Sequence, residues 1–377
     1  MTNDPLRYVN PRSGASWPID VPIWQAPDDK GYVNLSAGDG FWRDDIDTSL
    51  GSLWRYRKAI RLPREPFDTL GEGWTPLVPT EWGDCSVQMK CEYLMPTGSY
   101  KDRGTAVLLN YLKQSGITEI IEDSSGNPGA SYAAYAAAFG LTARILVPAR
   151  APKAKKAQIA AMGARVEVIE GTRQTVSEAA LAASEEIFYA SHNWQPYFIE
   201  GTKTLAFEIW EQSGFSVPDN IVVPLGYGSN VIGLYLGFQE LSASGEIDRI
   251  PRIFGAQAAN CAALFAAWEA GGVDTSFDAG ETIADGIASE KPVRVSDVMV
   301  AVRESGGGIE VASETEIAAA FNAFAGRGFF VEPTSATAGA VFDKILRSGR
   351  IQKSETTVLV LTGHGLKAME KIIKLAA

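Results

Sequence analysis

The chain has 377 residues, of which 46% are hydrophobic, and it carries a formal net charge of -11 at pH 7. A chain of this length and composition can bury a sizeable core, and its length suggests two domains or one domain with a large insert. The negative charge disfavours a nucleic-acid or anionic-membrane partner, because either would repel the protein. We therefore expect a globular protein whose partner is a small molecule.

Two further features bear on compartment and metal binding. The segment Met1–Leu6 is polar, and no apolar run approaches the roughly 18 residues that a membrane span needs, so we expect a cytoplasmic protein. The cysteines Cys85, Cys91 and Cys261 match no metal-ligand spacing. We therefore expect buried thiols and no bound metal.

The predicted elements begin with an arm. The first 50 residues are rich in Pro, Gly, Asp and aromatic residues without sustained periodicity, which indicates an irregular arm laid over a core. A helix is predicted over Ser52–Arg61. From Ser86 onward, short apolar runs alternate with helical patterns, which predicts βαβ units with a parallel sheet. The predicted strand and helix pairs are Val87–Tyr93 with Gly104–Ser115, Glu119–Glu122 with Ala130–Gly140, Ala143–Val147 with Ala154–Gly163, and Ala164–Ile169 with Thr175–Ala190.

The alternation of predicted strands and helices resumes in a second block, from Ile221 to Leu361. The predicted strands there are Ile221–Pro224, Arg252–Gln257 and Thr357–Leu361, and the predicted helices are Val231–Ser244, Cys261–Ala270, Glu314–Gly326 and Ser335–Arg347. The sequence therefore predicts an α/β fold with two open parallel-sheet lobes and a cleft between them.

One candidate anion site follows the predicted strand Glu119–Glu122. The residues Ser124-Ser125-Gly126-Asn127-Pro128-Gly129 offer small side chains and unpaired backbone N–H groups at the positive end of a helix. A carboxylate or a phosphate fits such a place. An ordinary capped turn would use the same residue types, so both interpretations stay open.

A second candidate site is the loop Gly226-Tyr227-Gly228-Ser229-Asn230, between a predicted strand and a predicted helix. Its two glycines let the backbone approach a ligand closely, and the helix start favours negative charge. This arrangement favours phosphate binding. A Gly-x-Gly loop is weak evidence by itself, and a structural turn is an equal alternative.

Lys101 and Thr362 are two further candidate site residues. Lys101 stands at a predicted helix start after the turn sequence Pro96–Tyr100, a place where the helix dipole disfavours a cation and favours a nucleophilic amine. Thr362 follows the last strand, where parallel sheets bind their ligands, so its hydroxyl can face a ring nitrogen. We expect His364 to be a loop residue.

Together these residues resemble threonine synthase and its fold-type-II pyridoxal-phosphate relatives, which include serine/threonine dehydratases and the tryptophan synthase β chain. The resemblance runs from about Trp54 to Lys367. The segments that carry it are Trp54–Arg57, Gly71–Gly73 with Thr75–Leu77, the Lys101 segment, Ser125–Asn127, Glu200–Thr204, Glu281–Ala284, Glu304–Gly307, Val331–Pro333 with Ser335–Ala336, and Leu361–Lys367.

The resemblance implies a cofactor, pyridoxal 5′-phosphate, held in the cleft. It implies that Lys101 holds the cofactor as a Schiff base and later moves protons. It implies that Asn127 binds the cofactor's 3′ oxygen, that the loop Gly226–Asn230 binds its phosphate, and that Thr362 pairs with the pyridine nitrogen. A neutral hydroxyl at that nitrogen biases the chemistry toward elimination and replacement.

The resemblance also implies an organisation of the chain. Residues 1–78 and 193–377 would form a large cofactor-binding domain with the N-terminal arm, and residues 79–192 a smaller mobile α/β domain. The relatives further imply a homodimer.

The substrate site departs from the threonine synthase pattern. Pro128 replaces a usual Thr, and Phe198 stands where an arginine helps to bind the phosphate of phosphohomoserine. Lys155 still matches a lysine near that phosphate. The residues that the resemblance assigns to the substrate are Ser124, Ser125, Gly126, Pro128, Lys155 and Phe198.

Three functions follow as hypotheses. The first is a threonine synthase, a lyase that converts O-phosphohomoserine and water to threonine and phosphate. The second, favoured by Phe198 and Pro128, is a β-eliminating serine/threonine dehydratase or ammonia-lyase, or a β-replacement synthase, acting on an unphosphorylated amino acid. The third is a protein that binds the cofactor without turnover, and the presence of Lys101 argues against it.

Overall fold

The structure is a computed structural model that describes residues 5–65, 67–149, 151, 153–171, 173–273, 277–289 and 291–376. Its strands are β1 Arg7–Val9, β2 Ser16–Pro18, β3 Asn34–Leu35, β4 Leu77–Trp82, β5 Cys85–Lys90, β6 Glu119–Glu122, β7 Thr142–Pro148, β8 Arg165–Ile169, β9 Phe188–Tyr189, β10 Asn220–Pro224, β11 Arg252–Ala258, β12 Gly308–Ala312 and β13 Thr357–Val360. Its α-helices are α1 Lys101–Gln114, α2 Asn127–Phe139, α3 Lys153–Ala161, α4 Arg173–Ala183, α5 Pro196–Thr202, α6 Thr204–Gln212, α7 Ser229–Ala243, α8 Ala263–Glu269, α9 Val295–Glu304, α10 Glu314–Ala325, α11 Pro333–Arg347 and α12 Met369–Ala376.

The chain divides into two compact units. Unit 1 consists of Met1–Asp39, Ile46–Glu72 and Lys101–Thr202, and unit 2 consists of Gly40–Asp45, Gly73–Tyr100 and Lys203–Ala377. These boundaries group most of the arm, residues 79–100 and residues 193–202 differently from the sequence-based division. The predicted mobile domain of residues 79–192 concerns motion and stays a prediction.

Unit 1 is built on a four-stranded parallel sheet in the order β8-β7-β6-β9. The predicted α/β pattern is therefore confirmed in this unit. The arm, predicted to be irregular, forms a small antiparallel sheet in the order β2-β1-β3. Tyr8 anchors it, because this side chain is fully buried and its hydroxyl donates a hydrogen bond to the hydroxyl of Tyr111 at 2.5 Å.

Two helix predictions in unit 1 are wrong. The stretch Ser52–Arg61 contains only a 3-10 turn over Leu53–Tyr56. All four residues of this turn are buried, so the turn lacks the exposed face of a surface helix. The stretch Thr175–Ala190 ends its helix at Ala183 and continues into β9. Pairing of Tyr189 with Ile121 at the sheet edge outweighs the local helical pattern.

Unit 2 is built on a six-stranded sheet in the order β12-β11-β10-β13-β5-β4. Every neighbouring pair is parallel except β4 with β5. Pro79 lies in β4, an edge strand, where its missing N–H costs no ladder hydrogen bond. Strands β10 and β13 are buried along their whole length, which explains the apolar residues that follow Asn220 in β10 and Thr357 in β13.

The topology decides where a site can form in unit 2. Strands β10, β13 and β5 are neighbours and run parallel, so their carboxyl ends meet at one edge of the sheet. Residues that follow these strands therefore lie close together, and ligands of open α/β sheets bind at such an edge.

In the part of the chain that the structure describes, no helix is long and apolar enough to cross a membrane.

Candidate active site

The glycine loop of unit 2 connects β10 to the first turn of α7. Gly228 has φ 99°, and a Cβ built on it would lie 2.2 Å from Cγ2 of Val298, so glycine is required there. A Cβ on Gly226 would lie 3.2 Å from Cα of Ile287. The backbone N–H groups at the start of α7 receive no side-chain cap from the residue that precedes the helix. The loop therefore presents N–H donors at a positive helix end.

Asn230 gives the clearest sign that this loop binds a ligand. Its side chain is 2% exposed, and neither its Oδ1 nor its Nδ2 atom has a hydrogen-bond partner among the described residues. Buried polar atoms are satisfied in more than about nine cases of ten. A phosphate at the helix start would supply acceptor oxygens for Nδ2, so the residues present fit a phosphate-bearing cofactor.

Thr362 lies two residues after the end of β13, and β13 is the neighbour of β10 in the sheet. It is 2% exposed, and its hydroxyl lies 3.2 Å from the hydroxyl of Ser335. The Ser335 hydroxyl also accepts a hydrogen bond of 3.0 Å from the Gly363 N–H. Two neutral hydroxyl groups at this edge can meet a ring nitrogen without placing a proton on it.

The two residues before Lys101 pair with the backbone at Thr362 and Gly363. The Tyr100 N–H donates a hydrogen bond of 3.0 Å to the carbonyl of Thr362, and Ser99 pairs with Gly363 in an antiparallel bridge. The hydroxyl of Tyr100 lies 3.1 Å from that of Ser229 in the glycine loop. Tyr100 thus connects the glycine loop and the Thr362 region within unit 2, and Lys101 is the next residue in the sequence.

Lys101 is the first residue of α1 in unit 1 and is 8% exposed. Its Nζ atom lies 5.5 Å from the centroid of the Phe198 ring, so these two predicted site residues are neighbours. The carboxylate of Asp102 accepts a hydrogen bond of 2.7 Å from Ser131 on α2. That contact joins the beginnings of α1 and α2, and it sets Lys101 near the loop that precedes α2.

The loop before α2 contains the other predicted substrate residues. The Gly126 N–H donates to the Ser124 hydroxyl at 3.3 Å, and Pro128 occupies the first turn of α2, where its missing N–H costs nothing. A Cβ on Gly129 would lie 1.9 Å from the carbonyl oxygen of Ser124. Only glycine permits this tight loop. Gly129 was part of the predicted anion loop but not of the residues assigned to the substrate.

Two predicted positions remain, Lys155 and His364. Lys155 lies on α3, but its side chain falls outside the described part of the structure. His364 accepts the Leu366 N–H on its Nδ1 atom at 3.1 Å, so it caps the turn that follows. Burial lowers the pKa of His364, and the charge of Lys367 lowers it further. The prediction of a loop role for His364 agrees with this contact.

Ser335 and Tyr100 belong to the site region and were not among the predicted site residues. Ser335 follows the segment Val331–Pro333 and lies in the first turn of α11. Tyr100 directly precedes the lysine. Its proximity in sequence was the one available signal for it.

The fold and this geometry define a class of protein, an α/β enzyme that holds a phosphate-bearing cofactor at the carboxyl edge of a parallel sheet. The chain belongs to the family described as pyridoxal-phosphate dependent enzyme, whose model matches residues 69–363. The cofactor is therefore pyridoxal phosphate, as the resemblance implied, and the protein is an enzyme with the fold-type-II architecture.

Similar proteins give a narrower picture. Threonine synthase of Methanosarcina acetivorans is 35% identical over 339 residues, which cover 88% of this chain and 84% of that protein. Threonine synthase of Methanocaldococcus jannaschii is 34% identical over 332 residues, with 85% and 82% covered. The structure of maize serine racemase has a TM-score of 0.67 at 22% identity, covers 80% of this chain and 92% of that chain, and supports the fold alone.

Proposed function

We propose that the protein is a lyase of the threonine synthase type, which converts O-phosphohomoserine and water to threonine and phosphate. The observation that carries the proposal is the Gly226–Asn230 loop in the same unit as Thr362, with a buried Asn230 side chain that has no hydrogen-bond partner among the described residues. The choice of substrate is supported by the threonine synthases that match more than four fifths of this chain.

In this proposal the cofactor supplies an aldehyde that binds amines covalently and a ring that withdraws electrons from the substrate Cα. The N–H groups and Asn230 of the glycine loop bind its phosphate. The Thr362 hydroxyl, held by Ser335 at 3.2 Å, orients the pyridine nitrogen. Because this partner is neutral, it favours elimination and replacement over amino-group transfer.

The unit 1 residues would act on the substrate. Lys101 would hold the cofactor through its amine, and the same amine would move the proton at the substrate Cα. Asn127 binds the 3′ oxygen of the cofactor. The backbone of the loop Ser124–Pro128 binds the substrate carboxylate at the start of α2, where the helix dipole favours negative charge. Lys155 is assigned to the substrate phosphate.

One observation favours a second function, elimination from an unphosphorylated amino acid such as serine or threonine. Phe198 is fully buried and presents an aromatic ring where threonine synthases have an arginine. A ring offers no charge to a phosphate dianion, whereas a bidentate guanidinium does. Phe198 thus supports a substrate whose leaving group is not a phosphate.

Product analysis separates the two functions. With O-phosphohomoserine, the first proposal predicts release of phosphate and threonine in equal amounts. With serine or threonine, the second predicts a 2-oxo acid and ammonia. A kcat/KM for O-phosphohomoserine no higher than that for serine would contradict the threonine synthase proposal. Lys155→Ala should raise the KM for O-phosphohomoserine, whereas the neighbouring control Lys156→Ala should not.

We further propose that the enzyme works in the cytoplasm as a homodimer. The residues Leu366, Met369 and Ile373 support the dimer, because they are 67%, 39% and 62% exposed and follow a helical spacing near the C-terminal helix. Light scattering of the purified protein tests the oligomeric state, and a mass of one chain at working concentration would contradict it.

A further inference from the structure

Helices α1 and α5 approach each other through two glycines. A Cβ on Gly201 would lie 2.1 Å from the carbonyl oxygen of Arg103, and a Cβ on Gly104 would lie 2.6 Å from three carbon atoms of the Phe198 ring. Real Cβ atoms do not approach other atoms so closely. The crossing of the two helices therefore depends on glycine at both positions, and it lays the Phe198 ring on the backbone of α1.

This crossing places the Phe198 ring beside the lysine amine. Gly104 is one helical turn after Lys101, so the two residues lie on the same face of α1. Nζ of Lys101 is 5.5 Å from the ring centroid, within the range of a cation–π contact. Both side chains are buried, with 8% of Lys101 and none of Phe198 exposed. Little water competes with the ring for the amine.

A further pair of residues supports the Phe198 ring from the side. The His192 ring contacts it in an edge-to-face arrangement, with centroids 5.7 Å apart and planes at 61°. Nδ1 of His192 lies 2.8 Å from Oε1 of Glu122, which is fully buried. The Phe198 ring is thus bounded by Gly104 and by a histidine that a carboxylate orients.

We propose that Phe198 is a positioning residue for Lys101, which holds the ε-amine in place whenever that amine is not bonded to the cofactor. The inference rests on the proposed role of Lys101 as the cofactor lysine. The lysine amine sits on a flexible four-carbon stem, so its favoured position has to come from its surroundings. The ring face favours the amine once it carries the Cα proton, so the amine stays in place until that proton is delivered.

This role differs from the substrate contact that the resemblance assigned to Phe198. A substrate contact affects KM, whereas a group that positions the lysine affects proton transfer at Cα. It also gives a reason for glycine at position 104, where a Cβ would displace the Phe198 ring.

The test uses the purified holoenzyme and three variants. Phe198→Leu removes the aromatic face. Phe198→Met also removes it, and its more flexible side chain serves as the alternative should the leucine variant fail to fold. Gly104→Ala keeps the ring but pushes it off α1. Phe139→Leu is the matched control, because Phe139 is also a buried phenylalanine of unit 1, with an edge contact to Tyr135.

Two measurements are made on each protein. Borohydride reduction followed by peptide mapping reports whether the cofactor is bonded to Lys101, and exchange of the substrate Cα proton with deuterated solvent reports proton transfer. We expect Phe198→Leu, Phe198→Met and Gly104→Ala to keep the label on Lys101. Their exchange rate and kcat should fall about five- to thirtyfold, as loss of a buried cation–π contact implies, with KM changed less than about twofold. Phe139→Leu should match the wild-type rate.

The two possible failures are distinguishable. A label absent from Lys101 in the wild-type enzyme overturns the proposed role of the lysine itself. A label on Lys101 combined with wild-type exchange in the folded Phe198 variants overturns the positioning role. A change in KM alone would indicate that Phe198 contacts the substrate, and it would also overturn the positioning role.

Discussion

The hydroxyl groups of Thr362 and Ser335 lie 3.2 Å apart at the carboxyl edge of the six-stranded sheet, although 27 residues separate them in the chain. Strand β13 delivers the first, and the start of helix α11 delivers the second. Because Ser335 also accepts the Gly363 N–H, the position of Thr362 is fixed before any ligand binds. The cofactor's ring nitrogen would meet a preformed partner.

Ser335→Ala tests that arrangement. It leaves the buried Thr362 hydroxyl and the Gly363 N–H without their partner, so we expect the free energy of unfolding to fall by about 1–3 kcal/mol. The affinity for pyridoxal phosphate should fall about tenfold, measured by absorbance titration. Ser348→Ala on the exposed end of the same helix is the control, and it should change stability by less than about 0.5 kcal/mol. Equal effects of the two variants would contradict the account.

Asn230→Leu tests the phosphate site in a way that separates stability from binding. Leucine replaces buried polar atoms that lack partners in the described chain, so the cofactor-free protein should gain about 1–2 kcal/mol of stability. Its affinity for the cofactor should fall at least about tenfold.

The matched control for Asn230 is Asn110, which is also 2% exposed but bonds to the Asp68 and Ala106 carbonyls. Asn110→Leu should destabilise the protein, because it leaves these partners unsatisfied. Destabilisation of the cofactor-free protein by Asn230→Leu, with unchanged cofactor affinity, would show that Asn230 has no ligand role. Urea unfolding of both variants measures the difference.

Gly228→Ala tests the tight glycine loop against the general cost of a left-handed residue. Gly245 has φ 77° with open space around it, so Gly245→Ala should cost about 1–2 kcal/mol from backbone strain alone. Gly228→Ala adds a contact of 2.2 Å with Val298, so it should cost more and should also weaken cofactor binding. Similar unfolding free energies for the two variants would mean that the loop tolerates a side chain.

His364 makes a prediction about pH. Burial, and then the charge of Lys367, hold its folded-state pKa below the unfolded value, so the unfolded chain binds the proton first as the pH falls. The stability contribution is present above the unfolded pKa, about 6.5, and is lost as the pH falls through it toward the lower folded pKa. His364→Asn can keep the cap on Leu366 without titrating. The free energy of unfolding should therefore fall more between pH 7.5 and pH 5.5 for the wild-type protein than for His364→Asn.

The sequence was sufficient for those parts of the site that depend on local chemistry. A lysine at a helix start, glycines that a tight turn requires, and a hydroxyl after a buried strand can all be recognised from neighbouring residues. The central strands β10 and β13 were predicted nearly at their observed bounds for the same reason, because a strand buried on both faces has an unbroken apolar sequence.

Contacts between distant segments could not be predicted in this way. The partnership of Ser335 with Thr362 and the packing of Phe198 on Gly104 depend on how helices cross and how strands order in the sheet. No local pattern carries that information. The failed helix prediction over Thr175–Ala190 has the same origin, because β9 forms only where a neighbouring strand edge is available.

The most direct test of the account is where the cofactor is attached. The holoenzyme is reduced with borohydride, digested and mapped by mass spectrometry, and Lys101→Ala is treated in parallel. The account predicts one modified peptide, which contains Lys101, and a variant that has neither the modification nor turnover of amino acids. Modification of a different lysine, or normal turnover by Lys101→Ala, would contradict it.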